Sequence, residues 1–219
     1  MKNLNEKYYV LGCGWVSSKG YGVFGNCPDF NNKSKKLHLP SLEDLVSDIP
    51  VRYGRFDDYT KVCFLTASLA LKDGNFRRKT NKSNVGVIVG SQTGVYNNDI
   101  SFYKTTLENK AVFTSPNLFS YTLPNIAIGE IAVHFGFTGP SFSVGNGCKN
   151  PGMEALRCGL SILAGDLCNT MLIGWVEVVK LNDYPFGAAF VFISKEKGEE
   201  IKKEFYPEKV INFYDLFGV

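Results

Sequence analysis

The sequence lacks most of the short signatures that announce an activity. No G-x-x-x-x-G-K-[ST] loop is present, and Gly12-Cys13-Gly14 followed by Gly20 and Gly22 has the wrong spacing for a dinucleotide fingerprint, with no helix pattern after it. Neither a G-x-S-x-G elbow nor H-E-x-x-H occurs, so a serine hydrolase of that type and a zinc protease have no support. Histidine is scarce, with only His38 and His134. The six cysteines (Cys13, Cys27, Cys63, Cys148, Cys158, Cys168) contain no C-x-x-C pair and no metal-type spacing. No metal or cofactor is expected. Repeats, low-complexity tracts, a signal peptide and a long uninterrupted apolar span are all missing, which predicts a cytoplasmic protein with reduced thiols and no membrane span.

Strong charge is missing too. The formal net charge of +3 is too small to argue for nucleic acid, and no nucleic-acid partner is expected. Basic residues cluster only at Lys33, Lys35, Lys36 and at Arg77, Arg78, Lys79, Lys82, both in polar, loop-like sequence. They read as solvated surface or as a docking patch for an acidic partner.

What is present suits one folded domain over residues 1–219: 44% of the residues are hydrophobic, including 17 Phe and 11 Tyr. Tyr8–Gly14, Val85–Gly90, Thr170–Val176 and Gly187–Ser194 are apolar runs that read as buried strands. Tyr59–Asp73 is apolar over most of its circumference and stops at Gly74, as a core helix does. Ile100–Asn109 and Leu123–Phe135 have helical spacing, and His134 on the latter reads as a packed or surface histidine. Gly20–Pro50 reads as irregular, with one helical turn near Ser41–Val46, and Lys209–Phe217 as a last strand. The alternation predicts an α/β fold with a mainly parallel sheet and helices on both faces.

The chain is organised around Gly139–Leu156. Phe142 and Val144 alternate as in a strand, Gly145-Asn146-Gly147 breaks it, and a helix pattern begins just past Cys148. A cysteine at such a turn meets the free N–H groups and positive dipole end of the next helix, which favour the thiolate. Pro151 strengthens the helix start. The bland alternative is a buried cysteine like the five others. The helix itself is apolar nearly all round, broken only by Glu154, Arg157 and Ser161, so burial on more than one side is expected.

With these elements placed, the sequence resembles the β-ketoacyl synthases, condensing enzymes of the thiolase superfamily. The resemblance is carried by Ser115-Pro116, Leu123-Pro124-Asn125, Gly129, Ile131-Ala132, Gly136–Ser141, Cys148, Gly165-Asp166 and Leu172–Glu177. Upstream, Val85–Ser91 and Arg55–Thr60 look like the family's second strand and the motif before its first long helix. It implies a thiolase-like half-fold: a five-stranded mixed sheet, mainly parallel, with Gly187–Ser194 antiparallel and a buried helix after Cys148. It also implies that Cys148 is the acyl-accepting nucleophile, with its N–H as one donor of the oxyanion hole. By the same resemblance Val95, Tyr96, Asn117, Leu118 and Phe119 border the acyl pocket.

The sequence covers only the family's first half. The family's two histidines (or His and Asn) and its lysine lie in a second half that would begin where this sequence stops. The connection from Glu177 to Gly187 is also short for the family, and Gly145-Asn146-Gly147 stands where a Thr-Ala pair is common, which predicts a looser turn. The expectation is a subunit of fatty acid or polyketide-type biosynthesis that takes an acyl group from acyl carrier protein or acyl coenzyme A onto Cys148. The chain is expected to form a homodimer, or a heterodimer with a second-half or full-length ketosynthase chain, and a partner chain to supply the remaining catalytic residues. The alternative is a noncatalytic scaffold or chain-length-factor-like partner of a true ketosynthase. Either way the apolar sides of the helix after Cys148 are expected to be an interaction surface.

Overall fold

The structure is a computed structural model and describes residues 6–26, 28–30, 36–76, 83–108, 114–145, 148–179, 185–198 and 200–218. Cys27, Lys33, Lys35, the Arg77–Lys82 cluster, Asn146 and Gly147 lie outside these residues.

One sheet runs through the molecule in the order β2-β1-β6-β5-β3-β4, with β7 beside β1. Its strands are β1 (Tyr8–Ser17), β2 (Gly20–Val23), β3 (Val85–Ser91), β4 (Ser141–Gly145), β5 (Thr170–Glu177), β6 (Gly187–Ser194) and β7 (Lys203–Phe205). Five of the strands expected from sequence form, all but Lys209–Phe217, and β6 runs antiparallel to both its neighbours. Two details differ. Among the described residues the sheet has seven strands, because Gly20–Val23, read as irregular, pairs with β1, and Lys203–Phe205 pairs with the start of β1. It is also less parallel than expected: β3 is parallel to β4 and β5, but the other four pairings are antiparallel. Connection length explains the pairings of β1 with β2 and of β5 with β6. Ser18-Lys19 joins β1 to β2 and residues 178–186 join β5 to β6, and neither is long enough for the helical crossover that parallel neighbours need.

Alternation along the strands gives each face its own core. Val87, Val89, Leu172, Val176, Phe190 and Phe192 face α1 (Asp58–Asp73) and α4 (Asn125–Phe135). Ile88, Met171, Ile173, Trp175, Val191 and Ile193 face α5 (Pro151–Ala164). Helix α1 starts at Asp57, whose carboxylate accepts from the Thr60 N–H at 2.9 Å, and is buried at every position from Tyr59 to Leu71 except half-buried Lys61. Helix α4 ends at Gly136, which takes the left-handed φ of 73° that a C-cap demands. Helices α2 (Tyr96–Glu108) and the short α3 (Pro116–Ser120) sit outside these layers, joined by Asn98 Nδ2 donating to Leu118 O at 2.7 Å.

The last residues differ most from expectation. Lys209–Phe217 is not a strand; Phe213–Phe217 forms a 3-10 turn whose start is a capping box between Asn212 and Asp215. That turn buries Phe213, Leu216 and Phe217 completely against α5 and the adjoining sheet. As a result α5 leaves no large apolar side chain exposed, and its open stripe is Arg157 and Ser161 flanked by half-buried Glu154, Cys158 and Leu160. The expected interaction surface on α5 is therefore covered by the chain itself.

Candidate functional site

The carboxyl ends of the three parallel strands lie side by side, where an open α/β sheet binds its ligands. β4 ends at Gly145, paired with Ser91 at the end of β3. Gly145 has φ +146°, and a Cβ there would stand 1.7 Å from Ser91 O. The glycine expected to loosen this turn is thus required by a close backbone approach.

Helix α5 begins just beyond. Asn150 is its N-cap and accepts from the Met153 N–H at 3.3 Å, and Pro151 opens the first turn. Cys148 lies two residues ahead of the cap, half-buried and free. The helix is pressed onto β3 at Gly90, where an added Cβ would fall 2.0 Å from Pro151 O. Cys13 and Cys63, by contrast, are fully buried and their thiols are pushed well up by burial.

Glu177 closes β5 as a buried carboxyl. It accepts from the Gln92 N–H, from the Thr93 N–H at 3.2 Å and from the Thr93 hydroxyl, and so clamps the turn after β3. Ser91 Oγ braces the same turn by accepting from the Gly94 N–H at 2.7 Å. Burial pushes the Glu177 carboxyl up, and these hydrogen bonds oppose the shift without cancelling it.

The clamped turn is a partition with a hollow on each side. On the α1 face lies a cleft of about 360 Å³, lined among others by Arg55, Asp57, Tyr59, Val95, Asn117 and Leu118. On the α5 side lies a cavity of about 170 Å³, lined by Gln92, Lys149–Pro151, Trp175, Glu177, Pro185, Asn212 and Tyr214. Adjacent residues face opposite hollows: Glu177 the cavity and Val178 the cleft.

Of the five residues expected around an acyl pocket, Val95, Asn117 and Leu118 line the cleft. Tyr96 and Phe119 are 54% and 60% exposed and do not line it, and the Phe119 ring rests on Phe102 with centroids 5.4 Å apart. Cys148 lines neither hollow, but Lys149, the next residue, lines the cavity. Sequence reasoning missed the cavity. Glu177, a charge ending an apolar strand, was a legible signal; Asn212 and Tyr214 gave none, because their segment reads as a strand. His134 packs edge-on against Phe64 and Phe135 on the α1 face, with centroids 5.1 and 4.7 Å away, as a packed histidine.

The profile of the β-ketoacyl synthase N-terminal domain matches residues 28–182. The citrinin polyketide synthase of Monascus ruber is 29% identical over 110 residues, covering 49% of this chain and 4% of the synthase. The clavatol synthase of Penicillium crustosum is 28% identical over 161 residues, covering 74% of this chain and 6% of the synthase. The chain thus spans only a small part of these curated relatives. Among solved structures, a β-ketoacyl synthase from Burkholderia phymatum STM815 superposes with a TM-score of 0.63 at 18% identity, over 86% of this chain and 59% of that one. A ketosynthase solved with the acyl-carrier protein of a type II polyketide synthase gives 0.64 at 17% identity, over 86% and 62%. The fold is thus shared with solved ketosynthases, and the chain belongs to the β-ketoacyl synthase N-terminal domain family.

Proposed function

We propose that the chain is a condensing-enzyme-like subunit of fatty acid or polyketide-type biosynthesis that carries an acyl group as a thioester on Cys148. The Cys148 sulfur gives up its proton and bonds to the donor's thioester carbonyl carbon, the donor's C–S bond breaks, and the departing thiolate takes up that proton to leave as a thiol. The proposed donor is an acyl carrier protein or acyl coenzyme A, and the compartment is the cytoplasm. Val95, Asn117 and Leu118 in the cleft, with Tyr96 and Phe119 outside it, are the proposed substrate contacts. The observation that carries the reading is the position of Cys148, in a chain of this family, between the end of β4 and the N-cap of α5. The first turn of α5 leaves backbone N–H groups without intrahelical partners two residues beyond Cys148.

The groups for decarboxylative condensation are proposed to come from a partner chain, a second-half or full-length ketosynthase; the other proposed pairing, with a second copy of the chain itself, does not supply them. Two surfaces support a partner. Tyr96, Ile100, Tyr103 and Leu107 form an exposed apolar stripe along α2 at helical spacing. Strand β4 ends the sheet with no charged residue in Ser141–Gly145 to guard its free edge. The similar structures include ketosynthases solved with a chain length factor, among them a pair from Xenorhabdus doucetiae. No helix among the described residues is long and apolar enough to cross a membrane.

The test is intact-mass analysis after mixing with acyl thioesters. One acyl group adds to the chain, and Cys148→Ala abolishes the addition. Absence of an adduct with every donor would sink the reading. Neither histidine is among the residues lining the cleft or the cavity, which favours a second reading as a noncatalytic scaffold or chain-length-factor-like subunit. Pathway activity that survives Cys148→Ala but not deletion of the chain selects it.

A further inference from the structure

We infer that α2 pairs with α2 of a second copy of this chain, the two helices lying parallel and in register. The inference rests on the proposal that a partner binds at α2 and names that partner. Tyr96, Ile100, Tyr103 and Leu107 follow one another at intervals of four, three and four residues, the heptad spacing that keeps a stripe facing one neighbouring helix. All four are exposed. The opposite side of α2 is turned inward: Asn98 is buried and donates to Leu118 O at 2.7 Å, and half-buried Phe102 packs on Phe119 with centroids 5.4 Å apart. Two heptads are too few for a free coiled coil, but these contacts already hold α2 in its helix, so pairing does not require the helix to form. The body of each chain lies behind its own helix and leaves the stripe clear for another.

The charges beside the stripe choose its occupant. Asp99 flanks it on one side and Lys104 on the other, at the positions that heptad pairing brings against the partner helix. Both are exposed, and among the described residues neither has an ion pair within the chain. Lys104 follows Asp99 by five positions, the offset at which flanking residues meet across two parallel, in-register helices. Two copies therefore form the Asp99–Lys104 pair twice about a two-fold axis, the self-complementarity that an isologous contact requires. Antiparallel helices would set Asp99 against Asp99 and Lys104 against Lys104, and like charges repel. A pair of 13-residue helices is a small interface, so the dimer is expected to be reversible and dependent on concentration.

Sedimentation velocity of the full chain from about 1 to 300 μM is expected to show monomer converting to dimer. Every substituted position is exposed, so the variants keep the fold, which far-UV circular dichroism checks. Tyr103→Glu abolishes the dimer by placing a charge in the stripe of both copies. Asp99→Lys and Lys104→Glu each bring like charges together and weaken association by about tenfold, an effect that added salt reduces. The double variant Asp99→Lys/Lys104→Glu restores the dimer, and a mixture of the two single variants forms the mixed dimer in preference to either variant's own. A chain that stays monomeric throughout, a dimer that Tyr103→Glu leaves unchanged, or a double variant that associates no better than the single ones overturns the inference. Each of these leaves the acyl-acceptor reading to its own mass measurement, whereas a chain that takes no acyl group but pairs as expected loses that reading and keeps this one.

Discussion

Substituting Gly90 by alanine tests the contact on which the site is built. Its new Cβ would sit 2.0 Å from Pro151 O and 2.5 Å from Pro151 C, whereas ordinary contact begins near 3.4 Å. Both obstructing atoms are backbone, so no rotamer change relieves the overlap, and α5 has to move by more than an ångström relative to β3. That movement loosens Ala155, Leu156 and Met153 from the sheet. Overpacking costs about 1–3 kcal/mol, and a backbone clash belongs at the top of that range. For a chain of this length ~3 kcal/mol lowers Tm by about 6–12 °C. Gly129 supplies the opposite case. It is exposed on α4, and an added Cβ meets nothing within 4 Å. There alanine is expected to raise stability by up to ~1 kcal/mol through helix propensity. Urea unfolding followed by tryptophan fluorescence measures both variants. A Gly90→Ala loss below about 0.5 kcal/mol, or shifts of the same sign for the two variants, would refute the close approach.

Removing the Phe213 ring, which is 1% exposed, is expected to destabilise by about 3–5 kcal/mol in urea, against less than about 1.5 kcal/mol for Phe213→Leu; equal effects would mean that the C-terminal turn does not fill the α5 face. Glu177 predicts a pH dependence. Its folded pKa lies above the ordinary 4.5, so between those two values the folded chain binds more protons than the unfolded one and stability falls as pH rises. The contribution is fully present below the unfolded value. The stability difference between wild type and Glu177→Gln should therefore change in this direction across that window, and a difference constant from pH 4 to 8 would contradict it.

Five strands and the long helices were legible because each buries a run or stripe that declares its own period. Val85–Ser91 has no polar interruption before Ser91, and Tyr59–Leu71 fills a helix buried all round. What escaped lacks such a period. Gly20–Val23 is a short edge strand with two glycines, no residue of which is fully buried. Phe213, Leu216 and Phe217 lie at spacings of three and one, too short a pattern to separate a 3-10 turn from a strand. The turn before Cys148 was read from glycine content alone, and glycine counts the same whether it supplies freedom or a close approach; only the Ser91 carbonyl distinguishes them at Gly145.

The C-terminal turn also relocates the surface at which a partner is to be sought. An apolar helix facing solvent would make α5 the natural docking face, but Phe213, Leu216 and Phe217 already occupy it, and a partner there would first have to displace three fully buried side chains. At about 1.5–3 kcal/mol for each buried side chain, that exchange is disfavoured unless the replacement packs equally well. One uncovered apolar stripe is instead on α2, where Tyr96, Ile100, Tyr103 and Leu107 are exposed, and continues at Phe119 and Leu123 beyond it. The same two helices carry Val95 and Asn98 on α2's approach and first turn, and Asn117 and Leu118 on α3, all lining the cleft. A partner bound on α2 and α3 therefore acts on the cleft wall directly, whereas none of the residues lining the cavity beyond the Glu177 clamp lies on either helix.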